Sequence, residues 1–334
     1  MWMEKISKRL NLYEMTRKLL AALLTSAILV GCSDDDAPAP VQPSEYLVLS
    51  VFDEAANNYK LIKYNTDGSG EAAFISSRLA GTEIIAAPAV SPKGTKVAYV
   101  EGGILKLLDV KSDARANVYT HANAIIGFPA INADETKIAF SASPTGDERA
   151  DLYIVNAAAN STPVKITNNE PDYVAIFPRF SNDGTKLTFS KGHADDEGVY
   201  VSDLQGNNMV RVSEDHLDGD ADAWPVFTKD GSKVIYTSSK YGQNNGTSEL
   251  LMSNTTEGAE STATRMFEST ATGILQSFFP VVSPDNSFIY FIGIDANSAQ
   301  SIYKVSTAGG APVKIKTVIT DLNSTVWNLA YVKE

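Results

Sequence analysis

Cysteine is all but missing from this 334-residue chain. Cys32 stands alone, so no disulfide can form within the chain and cysteine-built metal sites are excluded. Histidine is nearly as scarce: His121, His193 and His216 form no His-x-His or His-x3-His pair, which argues against an imidazole metal centre. The longest apolar run, residues 19–30, is too short for the roughly 20 residues that cross a bilayer as a helix. Nucleophile elbows of the Gly-x-Ser-x-Gly type and phosphate-binding loops are absent. Basic charge is in deficit, with 28 Lys and Arg against 40 Asp and Glu, and a net charge of -12 makes nucleic acid and bare anionic lipid poor partners.

What the chain does have is a repeat. Its clearest copies are Phe177-Pro178-Arg179-Phe180-Ser181-Asn182-Asp183-Gly184-Thr185-Lys186 and Trp224-Pro225-Val226-Phe227-Thr228-Lys229-Asp230-Gly231-Ser232-Lys233, with weaker copies around Pro88, Pro129 and Pro280. From each proline, 8 residues lead to Lys96, Lys137, Lys186, Lys233 or Phe288, where a β-branched and aromatic run begins. The unit reads as strand, tight turn, strand, with Asn182-Asp183-Gly184 supplying the left-handed residue and the local side-chain hydrogen bond of a hairpin. A third strand follows in each copy, such as Leu152-Tyr153-Ile154-Val155-Asn156 or Val199-Tyr200-Val201-Ser202-Asp203, and outer strands are predicted at 164–167, 210–213 and 313–316. Proline-to-proline periods of 41, 49, 47 and 55 residues suit four-stranded propeller blades.

Five such blades leave three predicted strands at the start (46–51, 59–65 and 72–76) and one at the end (325–332). Together they complete a sixth blade, which removes the exposed sheet edges of an open array. The prediction is an all-β, six-bladed propeller over residues 45–334, its last blade closed by N- and C-terminal strands. The Pro-x-x-Ser-Pro-Asp-Gly-x-Lys unit, with its apolar strand and Leu-Tyr-Val-x-Asp strand, resembles the TolB-type, WD-like propeller repeat. Ser91-Pro92-Lys93-Gly94 and Ser283-Pro284-Asp285-Asn286 keep part of the turn, while Asn132-Ala133-Asp134-Glu135 departs most.

Residues 1–31 read as a secretory signal, with Arg17 and Lys18 before the apolar run and a second potential start at Met15. Leu29-Val30-Gly31-Cys32 resembles the lipobox of bacterial lipoproteins, which implies lipidation of Cys32 and an effectively permanent membrane anchor. Residues 32–44, acidic and proline-rich, read as a tether. The predicted address is the outer membrane, facing the periplasm or the cell surface, with the membrane touched through the lipid alone.

In a propeller the loops entering inner strands and those joining second to third strands share one face. The long loops 141–150, 168–176, 190–198, 214–223 and 238–248 all fall there, as do the three histidines, and long loops on a rigid scaffold are where binding concentrates. Candidate ligand contacts are Arg179, Tyr173, Asp172, Tyr241, Lys240 and His216. Arg179 is a charge among small or apolar inner-strand residues, so it must either form a structural ion pair or face the axial channel. Asp218, Asp220 and Asp222 alternate with a calcium-like spacing that a solvated acidic turn shares, and no other cofactor is implied. Phe128, Phe177, Trp224 and Phe279, each before a proline, could stack sugars but are placed regularly enough to be packing between blades. The reading is a non-catalytic binding or scaffold module for an envelope protein, peptide or glycan. The alternative is a carbohydrate-active enzyme, a polysaccharide lyase or glycoside hydrolase with an axial site.

Overall fold

The computed structural model describes residues 45–334 except 78, 81–86, 121–123, 145–148, 169–172, 194–195, 215–220, 242–245, 257–262 and 321–323. The predicted signal, Cys32 and the tether therefore lie outside the described residues. Residues Glu45–Glu334 form one compact unit.

Six antiparallel sheets make up that unit. Blade 1 carries its inner strand at Ala89–Val90, followed by Lys96–Glu101, Ile104–Asp109 and Arg115–Thr120. The inner strands of blades 2 to 5 are Ala124–Ile131, Val174–Phe180, Asp222–Phe227 and Ile274–Val282. Blade 6 is stitched from both ends of the domain: Ser324–Lys333 is its inner strand, with Glu45–Asp53 beside it and Asn58–Asn65 next. Glu45 pairs with Lys333 and Asp53 with Ser324, so the two ends are zipped along their whole length. The Tyr46 hydroxyl donates to Glu334 at 2.9 Å, and the Tyr331 hydroxyl to Glu45 at 2.7 Å. Closure of this kind leaves no inner sheet edge for another chain to extend.

The hydrophobic core lies between blades, because each sheet buries both faces against its neighbours. Val100, Leu105 and Val118 of blade 1 pack with Ile126, Ile138 and Phe140 of blade 2, and similar clusters join blades 2 with 3, 3 with 4, 4 with 5 and 6 with 1.

The repeat owes its constancy to the turn. In blade 3 the Ser181 hydroxyl donates to Asp183 at 2.6 Å and accepts from the Lys186 amide at 2.9 Å, while Gly184 takes φ 69°. Thr228, Asp230 and Gly231 repeat the arrangement in blade 4, and Ser283, Asp285 and Asn286 in blade 5. Blade 1 has Lys93 where the others have aspartate, and its acceptor comes from the next blade: Ser91 donates to Glu135 at 2.6 Å. That bridge explains the divergent copy at 132–135, where Glu135 itself adopts φ 65° in the place of the glycine.

These turn carboxylates are held below their ordinary range. Asp285 is drawn down to about 2 by the Ser283 hydroxyl first, then by the Ser287 amide and hydroxyl. Asp183 and Asp230 are lowered in the same way, with the Ser181 and Thr228 hydroxyls leading. A depressed carboxylate adds stability that is present above its unfolded pKa and is lost as pH falls toward the folded value. The urea midpoint is therefore expected to drop between about pH 4 and about pH 2, and Asp285→Asn to flatten that limb. An unchanged acid limb in the variant would contradict the assignment.

Gly94 shows what the closure tolerates. It sits at φ 72°, and a Cβ there would meet the Tyr46 hydroxyl at 2.5 Å and Val332 at 2.6 Å, one atom from each of the two zipped strands. Gly94→Ala is expected to destabilise by about 2–4 kcal/mol, combining left-handed strain with overpacking at the seam. A denaturant midpoint equal to that of the parent would contradict this.

The inner strands hold a feature the sequence does not announce. Phe128, Phe177, Trp224 and Phe279 all adopt left-handed φ, at 48°, 55°, 51° and 54°. Each starts a β-bulge, with the aromatic and its proline together opposing one residue of the second strand. The opposed residues, Phe140, Phe189, Tyr236 and Phe291, are fully buried. Proline suits the second bulge position because no ladder bond is asked of its nitrogen. Left-handed φ is a rare state for an aromatic residue, and four instances at equivalent places mark a built feature.

Two predicted loops turn out to be strand. Residues 190–193 and 196–198 continue the hairpin, with Lys191 pairing Gly198 and His193 pairing Asp196. The first part of 141–150 also pairs, as Ser143 with Ile125. Short side chains make this possible in blade 2, where Ser141, Ala142 and Ser143 are all buried and the Ser141 hydroxyl donates to the Gly127 carbonyl. The outer strands are shorter than predicted in blades 2 and 3, at Val164–Lys165 and Val210–Arg211, and longer in blade 5, at Val313–Ile319.

Candidate functional site

The sequence-derived residues fall in three places. On the long-loop side of blade 3, Tyr173 is 37% exposed and lies ring to ring with His193 at 5.4 Å. Lys191 stands 5.9 Å from the Tyr173 ring and 5.6 Å from that of Tyr200. The same side of blade 4 gathers Lys240 and Tyr241, the latter 44% exposed. Lys240 pairs with Glu214, which raises its pKa against the opposing effect of burial. The Arg265 guanidinium lies over the Tyr241 ring at 4.3 Å and is held by buried Glu249, whose Oε1 accepts from it at 2.6 Å. Sequence reading missed Arg265 and Glu249, because the outer strand Thr264–Arg265 is too short to show alternation.

Between these two groups Arg211 donates to the Glu214 carbonyl at 2.9 Å and lies 5.9 Å from the Tyr200 ring. The result is a rim of cations set against tyrosine faces across blades 3 and 4. Cation–aromatic contacts of this kind hold both partners in place while leaving one ring face open.

Arg179 occupies the third place, on the axis. Blade 3 lies opposite blade 6 in the ring, yet the Arg179 guanidinium donates to Asn328 Oδ1 at 2.9 Å. It also donates to its own neighbour, the Pro178 carbonyl, at 3.1 Å. Among the described residues Arg179 forms no ion pair: both acceptors are neutral. Partial burial pushes the Arg179 pKa down to about 10, and the side chain stays charged at neutral pH. Asn328 is anchored in turn by donating to the Pro88 carbonyl at 3.1 Å, which also accepts from Ser50 at 2.9 Å.

The four inner-strand aromatics form a continuous arc across blades 2 to 5. Ring centroids are 4.5 Å apart for Phe128 and Phe177, 5.0 Å for Phe177 and Trp224, and 5.4 Å for Trp224 and Phe279. Packing between blades, the reading preferred from sequence, is what the rings do. Trp327 occupies the matching position of blade 6, as the extra residue of a bulge opposite Ser50 and Val51. It escaped sequence reading because Asn328 follows it where the other blades have proline.

The TolB β-propeller domain family matches residues 45–330. The chain belongs to that family. TolB of Acinetobacter baumannii superposes on it with a TM-score of 0.63 at 18% identity, covering 86% of this chain and 66% of that one, so the match spans just under two thirds of the relative. A TolB-designated protein of Agrobacterium tumefaciens gives 0.59 at 16% identity, covering 86% and 98%. An oligogalacturonate lyase solved in complex with manganese gives 0.53 at 15% identity, covering 82% and 79%. At these identities the likenesses speak for the fold. Curated protein sequences contain no match to the chain.

For this TolB-family propeller the remaining candidates divide as follows. Asp172, His216, Asp218 and Asp220 lie outside the described residues, as does His121. Asp222 is fully buried at the start of the blade 4 inner strand. Among the described residues no group of three His, Cys, Asp or Glu side chains could hold a metal ion. No described helix is long and apolar enough to cross a membrane.

Proposed function

We propose that the chain is a lipid-anchored, non-catalytic binding module of the bacterial cell envelope that docks an envelope protein through the long-loop side of blades 3 and 4. One observation carries the reading: Tyr173 and Tyr241 stand exposed on that side, each with a cation against its ring. Tyrosine and arginine dominate binding energy at protein interfaces, where a rigid ring buries much area at little entropic cost. Membership of the TolB β-propeller domain family supports a binding or scaffold role. The lipobox-like Leu29-Val30-Gly31-Cys32 supports the anchor.

Capture by the purified full chain from an envelope extract, followed by titration with the isolated partner, tests the docking. Tyr241→Ala is expected to weaken affinity by about thirtyfold, the loss of a hot-spot side chain worth about 2 kcal/mol. Val164→Ala, an exposed position on the outer strand of blade 2, is expected to change nothing. Unaltered affinity in the Tyr173→Ala/Tyr241→Ala double variant, or turnover of a polyuronate by the parent chain, would overturn the reading. Cys32→Ser is expected to move the protein from the membrane pellet to the supernatant; retention in the pellet would remove the anchor.

A further inference from the structure

Of the two exposed tyrosines on the rim, Tyr241 has the firmer support. The Arg265 guanidinium lies 4.3 Å from its ring, and a buried carboxylate fixes the guanidinium plane: Nη2 donates to Glu249 Oε1 at 2.6 Å and Nε donates to Oε2. Two parallel bonds of this kind set orientation as well as distance. Glu249 is 2% exposed, and its Oε1 also accepts from the Ser269 amide at 2.6 Å. At Tyr173 the neighbours are the His193 ring at 5.4 Å and the Lys191 ammonium at 5.9 Å, and an ammonium on a flexible stem holds no plane.

Fastening the outer strand does not require this arrangement. Blade 2 carries the equivalent clamp, with buried Asp151 and Lys165 at 2.7 Å, and in both blades the carboxylate lies two residues before the cross-strand partner of the cation. An aspartate and a lysine suffice there. What blade 4 adds is a planar fork with a ring upon it. The stem of the loop that carries Tyr241 is fixed as well: the Ser248 amide donates to the Leu275 carbonyl at 2.8 Å, the Ser277 amide to the Ser248 hydroxyl at 3.1 Å, and Gln276 to the Gly246 carbonyl at 3.2 Å. A ring ordered before docking loses little entropy when a partner arrives.

We infer that Glu249 is a positioning residue of the docking surface: too buried to touch a partner, it sets the guanidinium plane of Arg265, and the guanidinium in turn sets the Tyr241 ring. The inference rests on the reading that this rim docks an envelope protein. Neutralising Arg265 is not the whole role, because Glu268, 63% exposed and 3.4 Å from Arg265, is at hand for that. Tyr241 then acts as the rigid anchor of the rim, and Tyr173 as a looser second contact.

The test has two readouts on the full chain. The first is the tyrosine ring resonances of 13C-labelled protein, assigned with Tyr241→Phe and Tyr173→Phe. Glu249→Gln keeps the shape of the side chain but removes its charge and one acceptor oxygen, and is expected to shift the Tyr241 resonance while leaving Tyr173 in place. Arg265→Lys keeps a clamp of the blade 2 kind without the fork, and is expected to shift the same resonance in a protein that still melts cooperatively. The second readout is affinity for the partner protein isolated by capture on the full chain. Glu249→Gln is expected to weaken it about fivefold, the cost of ordering one freed side chain on binding, and to add nothing in a Tyr241→Ala background. An unmoved Tyr241 resonance in both variants, full affinity in Glu249→Gln, or an equal loss with and without Tyr241 would overturn the inference and leave Glu249 as a clamp on the outer strand. Undiminished affinity in Tyr241→Ala would overturn the docking reading instead, and the ring resonances alone would then decide whether Glu249 sets the ring.

Discussion

Removal of residues 324–334 is expected to leave a chain that does not fold. The deleted strand is the inner strand of blade 6 and pairs with Glu45–Asp53 from end to end. It buries Val326, Leu329, Tyr331 and Val332, exposed by 2%, 2%, 8% and 0%. At about 1.5–3 kcal/mol for each large apolar side chain, the loss approaches the ~5–15 kcal/mol that hold a whole domain together. Two costs add to it. Blades 5 and 1 lose the neighbour that covers their facing sides, and the edge of Glu45–Asp53 is bared to pair with another copy. Size-exclusion chromatography and near-ultraviolet circular dichroism are expected to show aggregation and loss of fixed tertiary structure. A monomer with a cooperative melt close to that of the parent would contradict the closure.

Arg179→Met is expected to act in the opposite direction and raise stability by about 1 kcal/mol, because replacing a partly buried charge that has only neutral acceptors among the described residues removes its desolvation cost. The bond to Asn328 is lost, but Asn328 keeps its contact with the Pro88 carbonyl. A gain in the urea midpoint would show a charge kept at a cost to the fold, as functional sites often are. A loss of more than about 1 kcal/mol would instead give the side chain a structural role, with the cross-axis bond outweighing its desolvation.

The blades were legible in the sequence because their turn chemistry is local. Ser181, Asp183, Gly184 and Lys186 sit within one hairpin, tied by the Ser181 hydroxyl, the Asp183 carboxylate, the left-handed backbone of Gly184 and the Lys186 amide. The closing blade was legible by elimination, since three strands at one end and one at the other were left over. What stayed hidden depends on distance or on backbone state. The left-handed φ shared by Phe128, Phe177, Trp224 and Phe279 leaves no mark in composition, although the recurring aromatic-proline pair was its trace. Glu135 looked like a decayed turn residue because its partners, Ser91 and Thr95, are in another blade.

The candidate site was less legible. Tyr173 and Tyr241 could be placed in loops, but the residues that hold them, His193, Lys191 and Arg265, come from strand ends and outer strands. Arg179 was conspicuous as a charge in apolar company. Its partner Asn328 is 149 residues away and became visible only once the ring was closed.

Native-state hydrogen exchange across the seam tests the ring most directly. The paired amides of Glu45–Asp53 and Ser324–Lys333 are expected to exchange together, at the rate of global unfolding, as one cooperative unit with the cores of blades 1 and 5. Fast exchange of Ser324–Lys333, independent of Glu45–Asp53, would mean that the two ends are not zipped, and neither the sixth blade nor the axial contact of Arg179 with Asn328 would stand.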